Sequence, residues 1–593
     1  MKIKRFNIAF FLWIIVLLVV FIFLIPPFQK PDEVSHFYRA TALAKGEIVC
    51  QNDKNGQSYF QIPNVFFNFP DKMFAEQIRY QYNVKFSKSA FFAKENDNIN
   101  NNKVKDICSF PFIGYIPISI GMIIGVLLNN PIVAFYLGRI SAAAVFIICV
   151  LFSLKIIPKK YKNIIYLYTL IPMVLHQVTE ISYDVLPMSL VVVIFSLLLK
   201  ILSSSIRKKI IVIFLALIII LTLAKGGYSF FLLLYFLIPY KKIANRVFNY
   251  FIFTIIYFAL AIFLNFISFK IVVALSSATA LVNPALQTKF IMQNPLLFIS
   301  TLLHSFAFFG ADYFNGFIGI FGWADYGFNF FIYVVYFAIF LFTTYFLIER
   351  NKPLINKKQL LLLISIIAAI LLTIFTSLYL VWSPVGSSLV QGVQGRYFLV
   401  LFPFFIFAIV QFALIIGKKN FYILVVFIFS MFLTFNLVFN IYNRYYNYAY
   451  LYSNQGSLEK NMKQLKSSHI NKVAIPIKQS YRFVIENLNL DRKIGGFEFI
   501  FNSSKKVMAT PYEYYVKDGQ CKKIYEHGFL SIGNLQNSPG PKLYDEKFGN
   551  IIKLTDSKMC VVLIPFEKPA GGQYINLYSL NKKILFDFLL ISN

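Results

Sequence analysis

KIKRFNIAFFLWIIVLLVVFIFLIPP, residues 2–27, begins with three basic residues, continues through an apolar run and ends in a double proline. A helix of about 20 apolar residues spans the hydrocarbon core of a bilayer, and this run is close to that length. Its basic start is like that of a signal peptide. The run is long for a signal core, however, and Ile25-Pro26-Pro27 offers no small-residue cleavage site, so it is expected to remain as an anchor. Ten further apolar runs follow, near 132–154, 163–182, 185–202, 209–223, 226–240, 247–269, 328–348, 359–381, 397–416 and 421–442. Only 14% of the 593 residues are charged and 58% are apolar. Soluble domains carry about 25% charged residues, so a water-soluble multidomain enzyme is excluded. The 18% aromatic content excludes disorder, and no sustained heptads suggest a coiled coil.

The net charge of +31 is explained by topology rather than by nucleic acid. Lys200 and the clusters at 2–5, 155–162, 205–209, 240–246, 349–358 and 417–420 hold twenty Lys and Arg against one acid, Glu349. With eleven alternating spans, all of them fall on one side. Basic loops stay in the cytoplasm. The amino terminus is then inside, and residues 26–131, 183–184, 224–225, 270–327, 382–396 and 443–593 are outside. The apolar stretch FIGYIPISIGMIIGVLL at 112–128 is short and contains Gly and Pro. Counting it as a span would move the 155–162 cluster outside, so it is expected as an interfacial or re-entrant helix. The fold class is therefore an all-α polytopic membrane bundle, residues 1–442, with a large first extracytoplasmic loop at 26–131. Composition shifts at Asn443, after a tyrosine cluster (YNRYYNYAYLY) that reads as an interfacial belt. FEFIF (497–501), GFLSIG (528–533) and MCVVLIPF (559–566) then suggest a β-rich extracytoplasmic domain at 443–593. Cys50 with Cys108 and Cys521 with Cys560 share outer segments and are candidate disulfides, while Cys149 is alone in a helix.

Charges near membrane helices are costly unless they serve a site or reach an interface. Acids outside the soluble parts are few: Glu180, Asp184, Asp312, Asp325 and Glu349. Four clusters gather at the outer side. In PPFQKPDEVSHFYRATALAKGE, residues 26–47, Asp32 is a candidate helix N-cap, and Glu33, His36 and Arg39 follow near one face. This is either a capped surface helix or a general base with its partners. His176, Glu180 and Asp184, spaced by four, would form one helical stripe about 12 Å long, serving a site or bonding to neighbouring helices. Lys225 in LAKGGY is a snorkelling lysine or a phosphate ligand. Arg396, with Gln391, Gln394 and Tyr397 beside it, is an interfacial anchor or a bidentate phosphate clamp. No P-loop, Rossmann fingerprint, zinc spacing, GxSxG or internal repeat is present.

Four sequence pieces carry a family resemblance: PP-x₄-DE-x₂-HFYRA, SYD at 182–184, AKGGY with IP at 238–239, and QGRYF-x₄-P at 395–403. Together they resemble the bacterial domain-of-unknown-function family 2142, over roughly residues 7–440. That family is grouped with GT-C type glycosyltransferases. The resemblance implies a GT-C-like bundle with a catalytic acidic motif in the first outer loop. It also implies transfer of a sugar from a polyprenyl-phosphate donor to an extracytoplasmic acceptor, a cell-surface glycan or glycolipid. Asp32 matches the acidic position, with Glu33 beside it as second-choice base or ligand of an optional divalent metal. No cofactor is required. Lys225 and Arg396 are the implied ligands of the lipid phosphate. His36, Arg39, His176, Glu180, Asp184, Gln394 and Tyr397 are the expected substrate-binding surroundings. The rival readings are a flippase for lipid-linked sugars, which needs polar groups through the bilayer, and a non-catalytic polysaccharide assembly protein. No nucleic-acid partner is expected; the expected location is the plasma membrane.

Overall fold

A computed structural model describes residues 2–447 apart from 55–56, 81–84, 88–90, 92–100, 205–206, 244–245, 274–282, 324–325, 348–352, 384 and 413–420, and beyond 447 the backbone of strands between 474 and 591. Among the described residues, five helices are long and apolar enough to cross a membrane: Pro131–Ile156, Val185–Ser203, Val247–Ile267, Pro295–Gly319 and Lys357–Val381. Helices Lys2–Phe23, Lys208–Ala224, Phe330–Leu347 and Phe421–Tyr445 occupy other expected runs.

Three runs are not plain α-helices. The 163–182 run breaks into Lys162–Thr169 and Pro172–Gln177. Pro172 cannot continue the hydrogen-bond ladder from the preceding turn, and the polar residues that follow leave the helix for turns. The expected helical stripe of His176, Glu180 and Asp184 is therefore not one: only His176 is helical. The 226–240 run is a 3₁₀ segment, Gly226–Leu237, and the 397–416 run starts as 3₁₀ at Gly395–Leu401 before the α-helix Phe402–Phe412.

The 270–327 stretch, expected as an outer connection, contains the helices Pro284–Gln293 and Pro295–Gly319. His304, Ser305, Asp312 and Asn315 interrupt the second one's apolar run and hide it from a reading based on continuous runs. Its length would allow a crossing, but its contacts stay at one end of the bundle. Phe298 meets Tyr379 at 5.3 Å, Phe306 stacks on Phe375 at 4.6 Å, and Phe317 meets Phe402 at 5.7 Å.

The 112–128 stretch forms the short helix Ile116–Leu127. Twelve residues rise only about 18 Å, too little to cross a bilayer. This helix turns at Asn129, whose φ is 51°, and runs back along Pro131–Ile156. The two backbones nearly touch: a Cβ on Gly125 would lie 2.1 Å from the Ala134 nitrogen. Ile120, Ile124 and Leu127 face outward, exposed.

The described residues of the basic loops gather at one end. Lys242 caps the Val185–Ser203 helix by donating to the Ile201, Leu202 and Ser204 carbonyls. Gln359 donates to the Leu237 carbonyl at 2.8 Å, and Gln411 accepts from the Leu354 amide at 2.7 Å. At the opposite end, the first loop folds as a unit. It comprises the helix Glu33–Ala44, three short helices and an antiparallel sheet of Gln51–Asn52, Ser58–Pro63 and Asn101–Val104, in that order. Its core is aromatic, with Phe28 against Phe37, Phe69 and Phe135. A Cys50–Cys108 disulfide closes it, and Cys149 is free.

The tyrosine cluster is partly packing rather than belt. Tyr445 is fully buried, Tyr446 donates to the Leu24 carbonyl at 2.8 Å, and Lys85 caps the last helix at the Asn443 and Arg444 carbonyls. Tyr442 alone of these three tyrosines is exposed. Beyond it, strands between 474 and 591 pair antiparallel in a six-stranded and a three-stranded sheet. The Cys521 and Cys560 side chains lie outside the described residues.

A buried ion pair joins these parts. Arg139 is the only charge in the 132–154 run, and it grips Glu33 bidentately, Nε to Oε1 at 2.9 Å and Nη2 to Oε2 at 2.7 Å, with both side chains fully buried. Its remaining donors reach the carbonyls of Ile22, Ile25 and Pro26 at the end of the first helix. Removing one partner strands the other charge, so Glu33→Ala should destabilise the protein by about 3–5 kcal/mol. A Glu33→Gln, Arg139→Met double variant should be less damaged than either single variant. Thermal unfolding in detergent checks both.

Candidate functional site

The PPFQKPDE turn is built from unusual backbone. Phe28 and Asp32 both have left-handed conformations, with φ of 64° and 59°. Such residues are costly and persist only where their surroundings enforce them. Here Glu33 is the enforcer. Besides Arg139 it accepts from the Phe28 amide at 3.0 Å and from the Ile181 amide at 3.2 Å. Lys30 adds a second clamp, donating to the His176 and Thr179 carbonyls and to the Thr179 hydroxyl at 2.7–2.9 Å. Trp323 donates to the Phe28 carbonyl at 3.3 Å. The turn is thereby tied to residues 176–181, almost 150 positions away.

The consequence is a sorting of the expected site residues. Asp32 stands at the N-cap position of Glu33–Ala44 but makes no capping bond. Its side chain is 58% exposed, and Oδ2 lies 4.0 Å from Arg396 Nη2. Glu33 is fully paired and sealed, so it forms part of the scaffold beneath Asp32 rather than of the open mouth. His36 is buried. Its Nδ1 meets the Tyr115 hydroxyl at 2.5 Å, and its ring packs on Phe110 and Tyr183. Arg39 turns away from the mouth: it donates to the carbonyls of Phe110, Glu47 and Ile48 and lies over Phe60. It braces the first loop.

The other clusters converge on the same place. Lys225 pairs with Asp184 at 2.5 Å and lies over the rings of Tyr183 and Tyr397 at 5.0 and 4.7 Å. Burial by itself would raise the Asp184 carboxyl, but the Lys225 ammonium, and after it Arg396, hold it below its usual range. Arg396 is brought in by a tight backbone approach: a Cβ on Gly395 would lie 1.9 Å from the Tyr313 carbonyl oxygen, which only glycine avoids. Its guanidinium is largely uncommitted. Nη1 reaches Gln177 Oε1 only at 3.5 Å, and Nε has no partner. Glu180 is buried, with both carboxyl oxygens unpartnered. Gln394 is exposed at the start of the Gly395–Leu401 segment. Asp312 is half-buried in the Pro295–Gly319 helix, while Asp325 and Glu349 lie outside the described residues.

Arg139, Lys30, Gln177 and Tyr115 were not singled out by sequence. Arg139 left the clearest trace, as a lone charge in an apolar run, a costly placement that needs a partner. Among the described residues no group of three or more His, Cys, Asp or Glu could hold a metal ion. Chemically, the mouth presents one exposed carboxylate beside two cations, of which Arg396 retains free donors. Residues 15–408 match the DUF2142 family, described as a predicted membrane protein. No curated protein and no solved structure matches the chain.

Burial holds the His36 imidazole down to about 4, against an ordinary 6.5. Above pH 6.5 both states are neutral there, and His36 makes no difference. Between pH 6.5 and 4 the unfolded chain takes a proton that the folded one refuses, so stability should fall by roughly 3 kcal/mol. Unfolding temperature against pH should drop in that window, and His36→Gln should flatten the drop.

Proposed function

The chain belongs to the DUF2142 family of predicted membrane proteins, and on that premise we propose that it is a membrane glycosyltransferase using a polyprenyl-phosphate-linked sugar. The observation that carries this reading is the Asp32–Arg396 pair, an exposed carboxylate 4.0 Å from a buried guanidinium with uncommitted donors. The described basic loop residues at the opposite end support an orientation with that end in the cytoplasm, by the positive-inside rule. The amino terminus is then cytoplasmic. The Asp32 mouth and the carboxy-terminal segment face outward from the plasma membrane.

In this mechanism the acceptor hydroxyl, on a cell-surface glycan or glycolipid, approaches the anomeric carbon from the face opposite the phosphate. Its oxygen forms the new bond as the anomeric carbon–phosphate oxygen bond breaks. The hydroxyl proton goes to Asp32, and the bonding electrons leave with the lipid phosphate. Configuration at the anomeric carbon inverts. A planar guanidinium takes two phosphate oxygens at once, and Arg396 is the cation with donors to spare. Lys225 adds charge at longer range while its pairing with Asp184 fixes it. Glu33 acts through position: its bonds to Arg139 and to the Phe28 and Ile181 amides hold Asp32 at the mouth. The reaction needs no cofactor, and no step assigned to these residues runs through a metal.

The test is incubation of the purified protein with labelled polyprenyl-phosphate sugars and a panel of glycan acceptors. Asp32→Asn should lower turnover by about 10²-fold or more while leaving expression and unfolding temperature near wild type. Undiminished turnover removes Asp32 as base. Arg396→Ala should weaken donor binding far more than acceptor binding; equal losses would make it an anchor.

A further inference from the structure

The segment that follows Lys225 carries an exposed face that the mechanism above does not use. Gly226–Leu237 is a 3₁₀ segment with a kink at Tyr228, and it packs against the helices Lys208–Ala224 and Lys357–Val381. A 3₁₀ helix has three residues per turn, so side chains three apart eclipse in straight rows. Tyr228, Phe231, Leu234 and Leu237 form the buried row. The neighbouring row is Gly227, Phe230, Leu233 and Phe236. Phe230 is 41% and Phe236 43% exposed, and Gly227 and Leu233 are partly exposed. At about 2.0 Å per residue this outer row is about 18 Å long. It ends where Phe236 stacks on Phe258 of the Val247–Val273 helix at 5.5 Å.

The head of this row is joined to the mouth. Lys225 lies over the Tyr397 ring at 4.7 Å and Arg396 over the same ring at 5.5 Å. The Tyr228 hydroxyl donates to the Tyr397 carbonyl at 3.2 Å. Gly226 and Gly227 come directly after Lys225, ahead of the first aromatic side chain of the row. Glycine is ordinarily required by left-handed backbone, as at many helix ends, or by a close neighbour. Neither reason holds here. Neither glycine has a positive φ, and a Cβ on either would meet nothing within 4 Å. Glycine also weakens a helix relative to alanine. What the pair provides is open space, beside a cation and at the head of an apolar row. An anionic group on one long hydrocarbon chain matches that arrangement, with the anion at the cations and the chain along the row. A row one side chain wide has no place for the second chain of a phospholipid. We propose that Gly226, Gly227 and the row Phe230, Leu233 and Phe236 form the site for the isoprenoid tail of a polyprenyl phosphate. This deepens the glycosyltransferase reading and rests on it for the kind of lipid.

The experiment applies a polyprenyl phosphate with a photoreactive group in its tail to the full-length protein in phosphatidylcholine nanodiscs, and locates the labelled residues by mass spectrometry. Label should concentrate on residues 226–237. Unlabelled polyprenyl phosphate should compete for it, and an equal amount of phosphatidic acid should not. A Gly226→Leu, Gly227→Leu double variant should lower the labelling by about tenfold or more, the order of the penalty for overfilling an apolar site. Phe230→Ser, which leaves the glycines untouched, should lower it as well. The Gly226→Ala, Gly227→Ala protein should unfold at or above the wild-type temperature, because the added methyl groups meet open space. A lower unfolding temperature gives the glycines a structural role and overturns the tail site. Label spread evenly over other exposed helices such as Val247–Val273, equal competition by phosphatidic acid, or labelling undiminished in the leucine or the serine variant also overturns it. Labelling as expected in a protein that turns over no sugar donor keeps the tail site and removes the transferase; turnover with label elsewhere does the reverse.

Discussion

A guanidinium buried in the Pro131–Ile156 helix and a carboxylate buried at the start of Glu33–Ala44 hold the first outer loop against the helix bundle. Neither ion is stable alone in that environment, because desolvation of a single charge costs more than a fold can spare. Together they satisfy each other, and their spare atoms reach three carbonyls at the end of the first helix and two amides, of Phe28 and Ile181. One pair thus fixes the exit of the first helix, the strained turn, the first loop and the 178–184 turn. The left-handed backbone at Phe28 and Asp32 follows from that constraint, and with it the exposure of the Asp32 carboxylate.

Around this anchor the polar groups divide into two kinds. Lys30, Arg39, Glu33 and Arg139 use their hydrogen bonds internally, chiefly on backbone carbonyls and amides, and so behave as scaffold. Asp32, Arg396, Glu180 and His176 keep polar atoms unspent. A folded chain tolerates unspent buried groups only where other gains offset them, and here the dense aromatic packing of the first loop and the close helix contacts at Gly125 and Gly395 contribute. The division by commitment separates adjacent residues that look equivalent in sequence, Asp32 and Glu33 above all.

Much of the bundle was legible from the runs themselves. The helices at 131–156, 185–203, 208–224, 247–273 and 357–381 coincide closely with continuous apolar stretches. The reading lost accuracy where polarity interrupts a helix, as at His304 and Asp312, and where proline or glycine converts a run into broken α or 3₁₀ segments, as at Pro172, Gly226 and Gly395. The four site clusters were each visible as charges beside apolar runs, and Asp32 with Arg396 proved to be neighbours across more than 360 positions. The roles of Arg39 and Glu33 were not visible, because their partners are backbone atoms or a residue in another element. The helical spacing of His176, Glu180 and Asp184 was a false guide, since the helix ends at Gln177.

The amino-acid sequence alone determined that this chain belongs in a membrane and that its basic loops form one set. Both follow from transfer free energies that add residue by residue, without reference to what lies beside them in space. Tertiary structure alone decided which charges are spent and which remain free. Hydrogen bonds act over about 3 Å, and the partners that settle the states of Glu33, Lys30 and Arg139 come from segments a hundred or more residues away.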